Sequence, residues 1–463
     1  MDAALAAYGS PEHLASIAWH RCQKRPVPHC AGAPRAAHLP RSAGAVSVTA
    51  IAPAALAIAA SARAGRCRRC YRHVAARTLA RGRQAGAAEY YSGSQGQVAG
   101  RIGVVLLNIG TPVSCSLEDV TDYLRRFLWD DRVVEIKDPE AKQEILQKIL
   151  RSGSAKSAES YRQIWHPSRG SPLLYHTEDL ADGLRQELGE AYEVCIGFQY
   201  SEPSVETALA RLLSLAVDKV VLVPMYPHFA EATVGAFLAN TCRVAADLRC
   251  TTYLQVLPPF YKSPGFLEAA SRSIAEVVGP RGRSVDHVVF SFHGIPEGQC
   301  TRTDETESVC MKSSDCCSKV CEANRNCYRA QCFETAALLA SLLELPCDRW
   351  SLAFASRKSV RGAIAWTKPF TDVLLPELAG AGKRCVAVCS PSYTADCIET
   401  LGLLGKDGRE LFLGAGGDEL VLAPCVNSSA TWVQNLADMI REMPGTAADA
   451  TRSTGKVRSY WAM

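Results

Sequence analysis

The stretch VDHVVFSFHGIP at residues 285–296 limits what this chain can fold into more than any other. Val288, Val289, Phe290 and Phe292 form a short apolar run of β-branched and aromatic residues. That is the pattern of a strand buried on both faces, and such strands belong to parallel sheets covered by helices. The run stops at His293, and Gly294 and Pro296 open a loop. Ligands of open α/β sheets sit where strands end in loops, and a histidine there offers an imidazole that titrates near neutrality. A capped strand end with a hydrogen-bonded histidine is the plainer account, and for a lone histidine it would prevail. The rest of the chain shifts the balance.

The same rhythm recurs on either side. The spacing predicts strands over 103–109 (GVVLLNI), 192–200 (YEVCIGFQY), 219–225 (KVVLVPM), 285–292, 350–355 and 384–389. Helical periodicity falls over 116–127, 175–188, 203–215, within 260–280, and over 333–345, 370–378, 394–403 and 430–441. Ser116 is the N-cap of the first helix, with Asp119 three residues on. Residues 127–136 mix apolar and charged side chains and read as a lip over a cleft or as an ordinary helix end. Strand, helix, strand at this interval builds βαβ units and parallel sheets. The Gly/Pro/Arg-rich break at 278–283 marks a boundary. The expected fold is α/β, with two similar Rossmann-like halves, 102–278 and 284–442, followed by a tail at 443–463. Each half carries a four-stranded parallel sheet flanked by helices.

Charge matters mainly at the N-terminus. The net charge is +4, yet 13 Lys or Arg and no acid lie between Glu12 and Glu89. From Glu89 onward the body carries 38 basic and 45 acidic residues, a balance of about −7. That leaves no basic face for nucleic acid and suits a protein that handles cations. Residues 1–88, rich in Ala, Arg and Ser, read as a cleaved targeting presequence. An uncharged apolar stretch at 42–62, then a basic stretch at 63–83, fits a two-part signal for a plastid, with a mitochondrial presequence as the other reading. A retained membrane helix is allowed by length alone, although Pro53 would kink it.

Six motifs then coincide. VVLLNIGTP (104–112), RGSPL (169–173), PMYPHF (224–229), SFHGIP (291–296), WTKPFTD (366–372) and ADCIET (395–400) stand in the order and spacing found in ferrochelatases. The resemblance runs from Ile102 to Arg441 and is nearest the bacterial-like form with GTP in the first loop. It implies two class II chelatase-type domains with a macrocycle in the cleft between them. It implies insertion of ferrous iron into protoporphyrin IX, the terminal step of heme synthesis. Metal insertion removes two pyrrole protons, so a base must lie near the ring nitrogens. By resemblance His293 is that base, and Glu399 faces it across the cleft, guiding iron or passing protons outward. Asp396, three residues earlier, would share a helix face with Glu399; two acids near a helix N-terminus also suit its dipole.

Leu128, Trp129, Tyr226 and Trp366 are the expected apolar walls, although each is an ordinary core residue type. Arg125, Arg126 and Ser171 are candidate donors to the propionates. Cys397 stands where many relatives carry His, Ala365 replaces a common Pro, the 356–366 segment is slightly long, and Gln199 stands where some relatives have Arg.

Between Pro296 and Cys332 the chain is about twenty residues longer than in the simplest relatives. Seven of the 20 cysteines fall here: Cys300, Cys310, Cys316, Cys317, Cys321, Cys327 and Cys332. With no histidine among them, a metal site would be all-thiolate, as in an iron–sulfur cluster or a structural zinc. The favoured reading is a [2Fe–2S] site from Cys310, Cys316 or Cys317, Cys321 and Cys327, with zinc or plain thiols as alternatives. Three functions compete: protoporphyrin ferrochelatase; a chelatase for another tetrapyrrole, such as coproporphyrin with iron or sirohydrochlorin with cobalt; and a heme- or metal-sensing protein on the same scaffold. A membrane surface and a second copy of the chain complete the set of candidate partners.

Overall fold

Two four-stranded, all-parallel sheets form the frame of the computed structural model. The strands are β1 (Ile102–Asn108), β2 (Tyr192–Phe198), β3 (Lys219–Pro224), β4 (Tyr253–Val256), β5 (His287–His293), β6 (Trp350–Ala355), β7 (Cys385–Cys389) and β8 (Glu419–Leu422). Their orders are β2-β1-β3-β4 and β6-β5-β7-β8, the same pattern twice. The structure describes residues 100–279, 282, 284–356 and 364–444. The presequence, most of the 356–366 segment and the tail beyond residue 444 lie outside the described residues.

The central strands bury every position: β1 (IGVVLLN) and β3 (KVVLVP) are buried throughout, and β5 is buried up to His293. Continuous Val, Leu and Phe make them so, because helices cover both faces. The edge strands β4 and β8 are partly exposed and shorter, and neither is legible as a strand by periodicity. In each sheet the chain reverses direction of winding between the two middle strands, β1/β3 and β5/β7. Loops diverge there and leave a crevice at the carboxyl ends of the strands.

Ser116 caps the helix Leu117–Trp129, its hydroxyl accepting from the Asp119 N–H at 3.1 Å. The predicted helix at 175–188 begins earlier, at Pro172, because proline fits the first helical position. The predicted helix at 333–345 also begins earlier, and runs Tyr328–Leu342. A 26-residue helix, Pro139–Ile164, is capped by Asp138 with proline at its start and pairs with Leu117–Trp129. It carries few apolar residues and was not predicted.

The expected helix at 394–403 forms differently. Residues 394–397 are not helical, and a π-helix runs Ile398–Asp407. A second π-helix, Glu231–Gly235, follows β3. The C-terminal helix Ala430–Arg441, expected in the second half, packs instead on Pro172–Leu188 and Pro264–Val278 of the first. Trp432 is fully buried there against Phe260 and Phe266, with ring centroids 5.5 and 5.8 Å away. Arg441 pairs with Glu187. The halves therefore share one continuous core.

Candidate active site

His293 is the last residue of β5. Its main chain is fixed on both sides: the N–H donates to Ser392 Oγ at 3.1 Å, and the carbonyl accepts from Tyr328 Oη at 2.9 Å. Ser392 lies in the loop after β7, so the two middle strands of the second sheet hold the histidine jointly. Gly294 is required next to it. Its N–H donates to the Ala355 carbonyl at 2.7 Å, and a Cβ at position 294 would lie 2.8 Å from that oxygen. The imidazole ring lies 6.4 Å from the ring of Tyr393, nearly edge-on.

Glu399 lies in the first turn of the π-helix Ile398–Asp407 and is half-buried. Cys397 caps that helix, its N–H donating to Thr400 Oγ1 at 2.9 Å. Four phenols lie within electrostatic reach of the carboxylate: Tyr123, Tyr161, Tyr226 and Tyr393. Burial first, and then the negative charge of Glu399 among neighbouring groups, push all four well above the ordinary phenol range. They stay protonated and can donate hydrogen bonds. Tyr393 has its ring 6.4 Å from that of His293 and lies within electrostatic reach of the Glu399 carboxylate. His293 and Glu399 both issue from the second sheet. Glu399 is thus not a contribution of the other half; the first half supplies walls, Tyr123 and Tyr161 from its paired helices and Tyr226 from the loop after β3.

The other expected residues divide. Tyr226 is half-buried and within electrostatic reach of Glu399. Trp366 is half-buried and pairs with Pro296, three residues past His293; its indole N–H is buried without a partner among the described residues. Leu128 is buried and Trp129 is half exposed, its ring 5.7 Å from Lys142 Nζ. Ser171 is buried and accepts from Thr111 Oγ1 at 2.7 Å. That bond ties it to the GTP loop. Arg125 and Arg126 are exposed, and both pair with Asp122.

Asp396 departs most from expectation. It precedes the π-helix instead of sharing a face with Glu399. It is buried and accepts from Thr400 Oγ1, the Cys425 N–H and Asn427 Nδ2. Those bonds spend its oxygens on the fold. Four tyrosines near His293 or Glu399 lie outside the expected set: Tyr123, Tyr161 and Tyr393 within reach of the Glu399 charge, and Tyr328 on the His293 carbonyl. Tyr393 had a signal, since it follows β7 as His293 closes β5, and strand ends line the crevice.

The cysteine-rich segment folds back against the core. Cys300, Cys310, Cys317 and Cys327 are all buried, whereas Cys321 is exposed. Proximity to Cys327, and then burial, push the thiols of Cys300, Cys310 and Cys317 above the usual thiol range, and the same proximity pulls Cys327 below it. Cys316 lies beside them, its sulfur 3.7 Å from that of Cys317. The buried set therefore contains Cys300 and omits Cys321, against the expected grouping. Among the described residues, no group of three or more His, Cys, Asp or Glu is arranged to hold a metal ion.

Two doubly wound parallel sheets carry His293 at the carboxyl end of β5 and Glu399 in the helix after β7, and the family to which these residues belong makes the chain a metal chelatase. The family model named Ferrochelatase matches residues 101–443. The ferrochelatase of Bdellovibrio bacteriovorus is 39% identical over 344 residues, covering 74% of this chain and 100% of that protein. Ferrochelatases of Pseudomonas fluorescens and Stutzerimonas stutzeri are each 37% identical over 342 residues, covering 74% of this chain and 98% of theirs. The chain belongs to the ferrochelatase family.

Proposed function

We propose that this protein inserts ferrous iron into protoporphyrin IX, forming protoheme, the terminal step of heme synthesis. As a reaction it is that of a lyase run towards metal insertion: the macrocycle gives up two pyrrole N–H protons, and its four nitrogens take the iron. His293 accepts a proton from the ring. Its main chain is held by Ser392 and Tyr328, so the imidazole is placed before substrate arrives. Glu399 offers a negative charge for the incoming cation and a path for protons leaving the pocket. The surrounding phenols are poor proton acceptors, which leaves His293 and Glu399 as the groups that exchange protons. The single observation supporting this reading is that Tyr393 has its ring 6.4 Å from that of His293 and lies within electrostatic reach of Glu399.

The test is loss of protoporphyrin fluorescence on adding ferrous iron to residues 89–463 under anaerobic conditions. His293→Ala should slow insertion by roughly 10² to 10⁴, the usual worth of a positioned base, while porphyrin still binds. Insertion at the wild-type rate by that variant would refute the assignment.

A finer reading is that the segment binds a [2Fe–2S] cluster if its buried thiols, Cys300, Cys310, Cys317 and Cys327, close around one, since they are not arranged as a metal site as they stand. The donor set is all sulfur, as such clusters require, and zinc would use the same donors. Iron, sulfide and zinc analysis beside the visible spectrum separates them. Cys300→Ser should lower metal content and Cys321→Ser should not; the reverse would restore the grouping with Cys321. Exposed Val113, Leu117 and Trp129 around the lip helix support docking on a membrane surface. The composition of residues 1–88 supports import into an organelle, a plastid before a mitochondrion. A fusion of those residues to a fluorescent protein tests that directly.

A further inference from the structure

The geometry points to Arg302 as a positioning residue for macrocycle binding, an inference that rests on the porphyrin reading above. Arg302 follows the short helix Glu297–Thr301, nine residues past His293, and belongs to the second half. Its guanidinium is forked between two carboxylates of the first half. Nη1 and Nη2 donate to Glu135 Oε2 and Oε1 at 3.1 and 2.6 Å. Nε and Nη2 donate to Glu231 Oε2 at 3.1 and 2.7 Å. Glu135 lies on the lip that follows the helix Leu117–Trp129, and Glu231 opens the π-helix after β3. Both segments adjoin tyrosines within reach of the Glu399 charge: Tyr123 lies on the helix Leu117–Trp129, and Tyr226 stands five residues before Glu231.

Exposed ion pairs usually contribute little. This one differs in geometry and reach. A guanidinium fork on carboxylates gives directional as well as electrostatic strength. Its partners lie 167 and 71 residues away in sequence, so ordering one side chain ties three segments together. Buried Gln299 reinforces the tie, donating from Nε2 to Glu135 Oε1 at 3.0 Å and to the Arg132 carbonyl at 3.4 Å. Burial raises the Glu135 carboxyl, but hydrogen bonds from Arg302 and Gln299 outweigh it and hold the group below the usual carboxylate range. Arg302 therefore fastens two rim segments of the first half to the second half beside the catalytic strand. Without it the lip is free to move, and binding must bear the cost of ordering it.

Arg302→Ala should raise KM for protoporphyrin by about threefold to tenfold, equivalent to about 0.7 to 1.4 kcal/mol, with kcat nearly unchanged. Arg302→Lys, which keeps the charge and loses the fork, should fall between. Raising NaCl from 0.05 to 0.5 M should weaken porphyrin binding more in the wild type than in Arg302→Ala, because the clasp is screened. Adding Arg302→Ala to Glu135→Gln should cost less than the sum of the two changes. Arg243→Ala, which removes an unrelated exposed pair with Asp247, should match the wild type. An Arg302→Ala enzyme with wild-type KM, or one that loses kcat alone, overturns the inference. A wild-type protein that binds no protoporphyrin sinks the porphyrin reading beneath it instead.

Discussion

Asp396 and Glu399 are three residues apart and should answer opposite experiments. Asp396 is 4% exposed. Its Oδ1 accepts from Thr400 Oγ1 at 3.0 Å and from the Cys425 N–H at 3.3 Å. Its Oδ2 accepts from Asn427 Nδ2 at 2.8 Å, and its own N–H donates to Asn427 Oδ1 at 2.8 Å. Asp396→Asn keeps the shape and replaces one acceptor oxygen with a donor. Turning the new amide either way sets a donor against a donor. Asn427 cannot rescue it by flipping, because its Oδ1 is already engaged by the residue 396 N–H. Losing one hydrogen bond to a buried charge costs roughly 1.5–3 kcal/mol, and stranding the facing donor roughly 1–3 more. The total is about 2.5–6 kcal/mol. For domains of this size it corresponds to a melting temperature lower by about 5 to 24 °C. Glu399→Gln, half-buried in a pocket, should melt within about 2 °C of wild type and lose most iron-insertion activity. Circular dichroism melts beside fluorescence assays decide. An Asp396→Asn protein that melts like wild type but binds porphyrin poorly would falsify the structural role and return Asp396 to the cleft wall.

Two further outcomes follow from the same geometry. Burial holds His228 near a pKa of about 3, so in the folded protein it stays neutral where an unfolded chain would take a proton below about pH 6.5. Stability should be indifferent to this group above pH 7 and fall as pH drops, by about 2 kcal/mol at pH 5. Urea melts at pH 8 and pH 5 should show that slope in the wild type and a smaller one in His228→Gln; equal slopes refute it. Gly294→Ala should displace the strand end that carries His293, since its new Cβ meets the Ala355 carbonyl at 2.8 Å. Iron insertion should drop at least tenfold while the far-ultraviolet spectrum is kept, and full activity would show that the loop yields freely.

Much of the frame was legible because its signal is local. Runs such as VVLLN and VVFSF carry their own strand propensity and burial pattern, and Gly294 and Pro296 announce where β5 ends. The edge strands β4 and β8 were not legible, because half-exposed strands of four residues lack a continuous apolar run. Helix Pro139–Ile164 escaped for a related reason. It is mostly polar, with buried Leu146, Ala158 and Tyr161 spread thinly along it, so its face shows only once a partner is present.

The site was half legible, and the errors share one cause. His293 and Glu399 could be marked because their motifs are contiguous, but contiguity says nothing about how the chain turns between Asp396 and Glu399. Ordinary helical spacing sets positions three apart on one face. Here the helix begins only at Ile398 and is a π-helix, the rarer form that recurs at functional sites. Asp396 is left outside it, bonded to Asn427, which holds a left-handed backbone (φ 47°) in a distant loop. No local pattern encodes that partner. The same holds for Cys300, whose thiol lies near a sulfur 27 positions away, and for Arg302, whose two carboxylates come from the opposite half. What escaped the sequence is therefore the set of long-range polar bonds that decide which of several chemically suitable side chains faces the pocket. Asp396 had the right chemistry and is spent on the fold, while Tyr393 lies next to His293 and within reach of the Glu399 charge.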